Sequence, residues 1–206
     1  MPAALIRKLE AHAPLSAEHR RKLEALTSRV HSVGPRENIL CEGEEPHVVN
    51  VVLSGWAYRY KTLPDGRRQI IALFLPGDMC EPYVFLLNAM DHTVGTLTPV
   101  TLAKVPAQAI RLVSASDPEL AETLWWQTRN TIEIQREWTV SIGRRSALER
   151  MAHLFCEVCT RLSIVGLSNG SGCEMPLTQN DLADAMGLSQ VHVNRVLQEL
   201  RAAGLI

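Results

Sequence analysis

From Ala4 to Leu26 the apolar positions fall into two short helical runs broken at Pro14 to Ser16, with Ser16 placed to cap a segment that starts at Ala17 and carries Glu18 and His19 in its first turn. Both read as packing helices. Between Val33 and Pro106 the pattern changes to short β-branched runs punctuated by Gly, Pro and Asp: VVNVVLSG, WAYRYKTLPDGRRQIIALFLPGD and TVGTLTPVTLAKV. WAYRYKT and RQIIALF flank Leu63-Pro64-Asp65-Gly66, and Asp-Gly supplies the positive-φ position that a hairpin turn needs. Gly55 and Gly77 fall at similar places between strands. Short strands recurring about every ten residues predict a sandwich, barrel or jelly roll. The alternation of strand with long helix that marks a parallel α/β enzyme is missing.

After Pro118 the apolar period becomes helical. Leu120, Leu124, Thr131, Ile134, Trp138 and Ile142 recur at helical spacings, predicting one long helix to about Ser141. Such a stripe can lie against its own β domain or against a twin helix. A helix of this length between two domains, with Trp125 and Trp126 near its start, favours the twin, and Leu120, Leu124, Thr131, Ile134 and Trp138 are the expected dimer interface. A second helix spans about Arg145 to Ser163, with Leu148, Met151, Ala152, Phe155, Val158, Cys159 and Leu162 on its apolar side. The loop GLSNGSGCEMP follows, closed by Pro176.

The segment MPLTQNDLADAMGLSQVHVNRVLQELRAAGLI carries the strongest pattern. Thr178 is placed as an N-cap and Asp181 completes a variant capping box before Leu182, Ala183 and Met186. Gly187 ends that helix and permits a sharp turn into a second one, capped by Ser189, whose buried side is Val193, Val196, Leu197 and Leu200. Two short helices held by a tight turn have the geometry that puts the second into a DNA major groove. Its outward groups suit base edges: Arg reads guanine, while Gln and Asn read adenine. Gln190, Val191, Asn194 and Arg195 are the candidate base readers, with Thr178, Ser189, His192 and Gln198 at the backbone or flanks. A plain helical hairpin with a solvated polar face is the alternative, but that face has few acidic residues before Glu199.

Composition adds exclusions. Lys and Arg total 21 against 22 Asp and Glu, so DNA affinity has to come from local charge rather than a net positive field. With 46% hydrophobic residues over 206 positions the chain can bury a real core. MPAALIRKLE lacks a following apolar region, so neither a signal peptide nor a membrane span is expected. Five scattered cysteines read as a reducing, cytoplasmic setting. Cys156 and Cys159 have C-x-x-C spacing within a helical pattern, where core packing is the expected role. A metal or thiol-switch role with Cys173 as a third group is the second reading. His12, His19, His31, His47 and His153 show no ligand spacing, and no metal site or enzymatic constellation stands out.

The block LTQNDLADAMGLSQVHVNRVLQELRAAGLI resembles the helix-turn-helix of the Crp/Fnr superfamily of bacterial regulators. Upstream, GEEPHVVNVVLSGWAYRYKTLPDGRRQIIALFLPGD resembles the β-roll of a cyclic-nucleotide-binding-type domain, and SIGRRSALERMAHLFCEV the junction of dimerisation helix and DNA-binding domain. The resemblance implies an α+β fold: a sensory β-roll (jelly roll) with N-terminal helices over 1–115, a dimerisation helix over 116–142 and a winged helix-turn-helix over 143–206, lacking its wing in this chain. It further implies a cytoplasmic homodimer that binds double-stranded DNA at an inverted repeat and contacts RNA polymerase, with no membrane. The family's base-reading positions map to Gln190, Val191 and Arg195. Many relatives have Arg then Glu at the first two, so only the Arg195 role carries over and the target sequence differs. The alternative function is a β-roll ligand- or protein-binding module that has lost DNA specificity.

Relatives that bind cyclic AMP hold it with a Gly-Glu and an Arg-Ser pair. Here Glu81 follows Cys80, and there is no Arg between Arg68 and Arg111, so ordinary cyclic-nucleotide binding is not expected. His92 could stand in only when protonated, and a surface loop is its expected place. Glu81, Tyr83, Phe85 and His92 form the candidate effector pocket, with Met90 adding apolar surface, either for another small molecule or filled by its own side chains, the latter ranking first. No cysteine precedes Cys41, unlike relatives with an iron-sulfur cluster, and the sequence leaves cofactor and effector unknown.

Overall fold

The structure is a computed structural model that describes residues 3–168 and 172–206; Met1, Pro2 and the stretch Asn169, Gly170 and Ser171 of the expected loop lie outside the described residues. Two helices open the chain, α1 (Ala3–Glu10) and α2 (Ala17–Leu26). The Ser16 hydroxyl caps α2 by accepting from the His19 N–H at 3.0 Å. Eight strands follow: β1 (Val30–Val33), β2 (Asn38–Leu40), β3 (Val48–Ser54), β4 (Ala57–Thr62), β5 (Arg68–Phe74), β6 (Met79–Cys80), β7 (Thr93–Thr96) and β8 (Val100–Pro106). They form two four-stranded sheets, in the orders β1-β8-β3-β6 and β2-β7-β4-β5, with antiparallel pairing throughout. The two sheets face each other as a roll around Val52, Ala57, Phe74, Val94, Val100 and Leu102.

Turn chemistry sets the register. Gly66 has φ +84° in the β4–β5 hairpin, where Leu63 and Arg67 close the turn with an N–H···O bond of 2.8 Å. Gly55 between β3 and β4 has φ +78°, and any Cβ there would run into the Pro99 carbonyl.

Four longer helices and a short one complete the chain: α3 (Ala107–Ser116), α4 (Pro118–Arg144), α5 (Ala147–Ile164), α6 (Gln179–Met186) and α7 (Gln190–Ala202). Among the described residues no helix is long and apolar enough to cross a membrane. The α5 start has a capping box, Ser146 with Glu149, and Leu148, expected on the apolar side, is 40% exposed.

Most of the apolar stripe of α4 faces its own chain, which removes Leu120, Leu124 and Trp138 from the expected dimer interface. Leu120 and Leu124 are buried beside Leu5, Leu9, Val49 and Val51. Trp138 is buried with Met151, Leu154 and Leu182, and its indole N–H donates to Glu157 at 2.7 Å. Ile134 packs at the edge of that cluster, and Thr131 is half-buried, its hydroxyl donating to the Gln127 carbonyl at 3.0 Å. Gln127 and Gln135 on the same side donate to the carbonyls of Gly77 and Ile71 at 2.9 and 2.6 Å. Periodicity shows that a stripe is buried but not what covers it. A different face of the helix carries apolar groups in solvent: Trp125 is 53% and Ile132 45% exposed, one heptad step apart, while Ile142, at the end of the first stripe, is 42% exposed.

Candidate nucleic-acid interface and sensor pocket

The expected helix pair is built by its caps. Thr178 accepts from the Asp181 N–H at 3.2 Å, and its own N–H and hydroxyl donate to the Asp181 carboxylate at 2.9 and 2.7 Å. Gly187 takes the left-handed conformation, φ +65°. Ser189 then accepts from the His192 N–H at 3.3 Å and starts α7. Val193, Val196, Leu197 and Leu200 turn inward, as their spacing predicts.

The opposite side of α7 is open. Gln190, Asn194 and Gln198 are exposed, Val191 is 82% exposed and His192 is half-buried. The Arg195 side chain is 67% exposed, with only a loose 3.9 Å approach to Glu199. Thr178 and Ser189 are exposed at their helix starts, although both polar groups of Thr178 are already engaged by Asp181.

Sequence reasoning missed what lies behind α6. Asp181 is fully buried and receives Arg36 bidentately at 2.6 and 2.8 Å. Arg68 from the β4–β5 hairpin bonds Asp184 at 2.8 Å and reaches Asp181 at 3.3 Å, its guanidinium lying over the Tyr58 and Tyr60 rings. Burial alone would raise the Asp181 carboxyl pKa, but the hydrogen bonds from Arg36 and Thr178 outweigh it and hold it below the usual range. A second ion cluster joins roll and reader lower down. Asp78 is paired with Lys8 of α1 and with Arg161 of α5, the latter at 2.6 Å.

The sensor pocket departs from expectation in membership. His92 is not in a surface loop but 4% exposed, with Nδ1 2.6 Å from Asp91 and Nε2 3.4 Å from Glu81. Glu81 has φ +53° and is paired with Arg59, whose guanidinium lies 5.2 Å from the Phe74 ring centre inside the roll. Burial, and then the Arg59 charge, lower the His92 pKa, so the ring is neutral at neutral pH. Tyr83 and Phe85 lie elsewhere. A short 3-10 turn, Val84–Leu86, carries them to α4, where the Tyr83 ring meets Trp125 at 4.9 Å and its hydroxyl accepts from Thr128 at 2.8 Å. Arg59 was legible in principle, because strand alternation puts it opposite Tyr58, on the side of Ala57.

Cys159 is bonded to Cys173, which replaces the expected packing role and removes both from any metal set, while Cys41, Cys80 and Cys156 are free.

Two family models match the chain: a cyclic nucleotide-binding domain over residues 30–117 and a Crp-like helix-turn-helix domain over 149–206. The nitrogen fixation regulation protein FixK of Bradyrhizobium diazoefficiens is 30% identical over 203 residues, covering 98% of this chain and 83% of its own. The chain belongs to the Crp/Fnr superfamily of transcription regulators. Other members agree. The transcriptional activator protein FnrL of Cereibacter sphaeroides is 27% identical over 173 residues, 82% of this chain and 69% of its own. The solved structure of FixK2 from Bradyrhizobium japonicum superposes with TM-score 0.75 and 27% identity over 85% of each chain. This Crp/Fnr chain is therefore a DNA-binding transcription regulator, and α6 and α7 are its helix-turn-helix.

Proposed function

We propose that the protein acts as a cytoplasmic homodimer that reads an inverted repeat through α7, with Arg195 as the principal base contact. The open face of α7 carries this reading: Arg195 projects into solvent beside Val191, Gln190 and Asn194, while the other side of the helix is locked into the core. A guanidinium so placed suits guanine O6 and N7, and Val191 suits a thymine methyl. Ser189, His192 and Gln198 flank it toward the phosphates, and the Thr178 end of α6 brings helix-start N–H groups.

The reassigned α4 face supports the dimer. Trp125 and Ile132 are apolar, about half-exposed within the chain and one coiled-coil step apart. A dimer paired along this face would read an inverted repeat if its two recognition helices lie about 34 Å apart, one turn of B-DNA. Relatives are named as activators, which supports RNA polymerase as a further partner.

For the sensor, the Arg59–Glu81 pair with neutral His92 lies against Phe74 of the roll. A cyclic phosphate entering there would have to displace Glu81 from Arg59, so the effector is a different molecule or the roll is self-filled.

Sedimentation velocity and DNase footprinting test the reading together. The expected result is a dimer at micromolar concentration protecting an inverted repeat, with affinity falling steeply as salt rises. A monomer with no preference over random duplex would overturn it.

A further inference from the structure

We propose that Cys159 and Cys173 form a reversible dithiol–disulfide site that sets the order of the DNA reader, with low-molecular-weight or protein dithiols as reductants and hydroperoxides as oxidants. The inference rests on the DNA-reading role proposed above.

Three observations meet at this place. The disulfide joins the C-terminal half of α5 to the strap that runs into α6, closing a sequence separation of 14 residues with the two Cα atoms 5.6 Å apart. Cys159 and Cys173 both line a cleft of about 520 Å³ together with Phe155, Cys156, Met175, Leu197 and Arg201, so the pair borders a space large enough for a small thiol or peroxide. The strap also carries Met175 and Leu177 onto the cluster of Leu182, Leu197 and Leu200, and ends at Thr178, the cap of α6.

The remaining cysteines sharpen the assignment. Cys80 is buried and its thiol pKa is pushed far up by desolvation, which leaves it unreactive. Cys156 is exposed one helical turn before Cys159 and stays free beside the bonded pair. The pair is thus selected by geometry rather than by exposure alone.

The chemistry balances without any group beyond the named reagents. In reduction, an external thiolate attacks Cys173 Sγ, the Cys159–Cys173 bond breaks, and the Cys159 thiolate takes a proton. The second thiol of the reductant then releases Cys173, so two electrons leave the dithiol and a disulfide forms in it. In oxidation, a hydroperoxide converts the Cys173 thiolate to a sulfenic acid and leaves as the alcohol, or as water when the peroxide is hydrogen peroxide. The Cys159 thiol then displaces water to restore the S–S bond.

Opening the bond frees the strap from α5 while the apolar cluster still holds α7. The start of α6 then orders only part of the time. If the ordered reader is populated to between a tenth and a third, operator affinity falls by roughly three- to tenfold.

The wild-type chain is treated with hydrogen peroxide or with dithiothreitol, unfolded, and alkylated with iodoacetamide for mass spectrometry. Of five cysteines, three are expected to alkylate in the oxidised sample and all five in the reduced one. Native hydrogen exchange should quicken at Leu182 to Ala185 after reduction, and affinity for a duplex selected by the oxidised protein from a random pool should fall by the stated factor. Cys159→Ser and Cys173→Ser should behave as the reduced form with or without dithiothreitol; Cys156→Ser should keep the full response. Five alkylated cysteines after peroxide, or equal exchange and equal affinity in both states, would overturn the proposal. Failure of either form to select any duplex would instead defeat the DNA-reading role, while thiol count and exchange still decide the site.

Discussion

Replacing Asp181 with Ala removes the capping box of α6 and the buried acceptor that Arg36 holds bidentately and Arg68 reaches more loosely. Loss of the cap partner costs about 1 kcal/mol. The Arg36 pair is worth less than a fully buried one, because the Arg36 side chain is 41% exposed and regains water when its partner goes, whereas Asp181 is 1% exposed. A charge-assisted hydrogen bond in this setting contributes about 1.5 to 3 kcal/mol. The total, about 2.5 to 4 kcal/mol, corresponds to a fall in Tm of roughly 5 to 16 °C for a chain of this size. Calorimetry of the single variants Asp181→Ala and Arg36→Ala and of the double variant isolates the pair, and a coupling of at least about 1 kcal/mol is expected. The pH dependence has a definite sign. Because the folded carboxyl has a lowered pKa, its contribution is complete above the ordinary value of about 3.9 and is lost as pH falls through the lower folded value. In Asp181→Ala that acid-side loss should shrink. Additive single variants, or an unchanged acid limb, would refute the assignment of stability to this contact.

Arg195→Ala should weaken the selected operator by about 1 to 3 kcal/mol per half-site, relax preference at one guanine and leave the dimer intact; equal losses on operator, guanine-substituted operator and random duplex would assign Arg195 to phosphate. Ile132→Glu should weaken self-association by at least about tenfold with little change in Tm, while Leu124→Glu should lower Tm by burying a carboxylate in the core, and sedimentation with thermal melts separates the two. Calorimetric titration with cyclic AMP or cyclic GMP should show no binding, and a submicromolar affinity would overturn the self-filled reading of the roll.

Local patterns were legible wherever the answer was local. Ser16, Thr178, Ser189 and the Asp65-Gly66 turn were readable because caps and turns are decided within three or four residues. The base-reading face of α7 followed from helical period for the same reason. Pairings across long separations were not readable. Leu124 and Trp138 have the spacing of a seam, yet their partners come from α1, the roll and α5, more than a dozen residues away. The Arg36–Asp181 contact spans 145 positions, and nothing in either local sequence marks it. The disulfide lies between: Cys159 was recognised through its spacing from Cys156, but its bond goes to Cys173.

The cluster that holds the recognition helix is not private to the helix-turn-helix. Tyr58, Ile70, Leu73 and Leu75 of the hairpin share it with Trp138, Met151, Leu182 and Leu197. A fragment cut at the α4–α5 junction would therefore carry an uncovered apolar wall and be prone to stick to itself, so the reader is poorly suited to transplantation onto another sensor. By the same geometry, selection acting on hairpin side chains far from DNA is selection on the poise of the reader, and variation in the two halves of this chain is expected to be correlated rather than free.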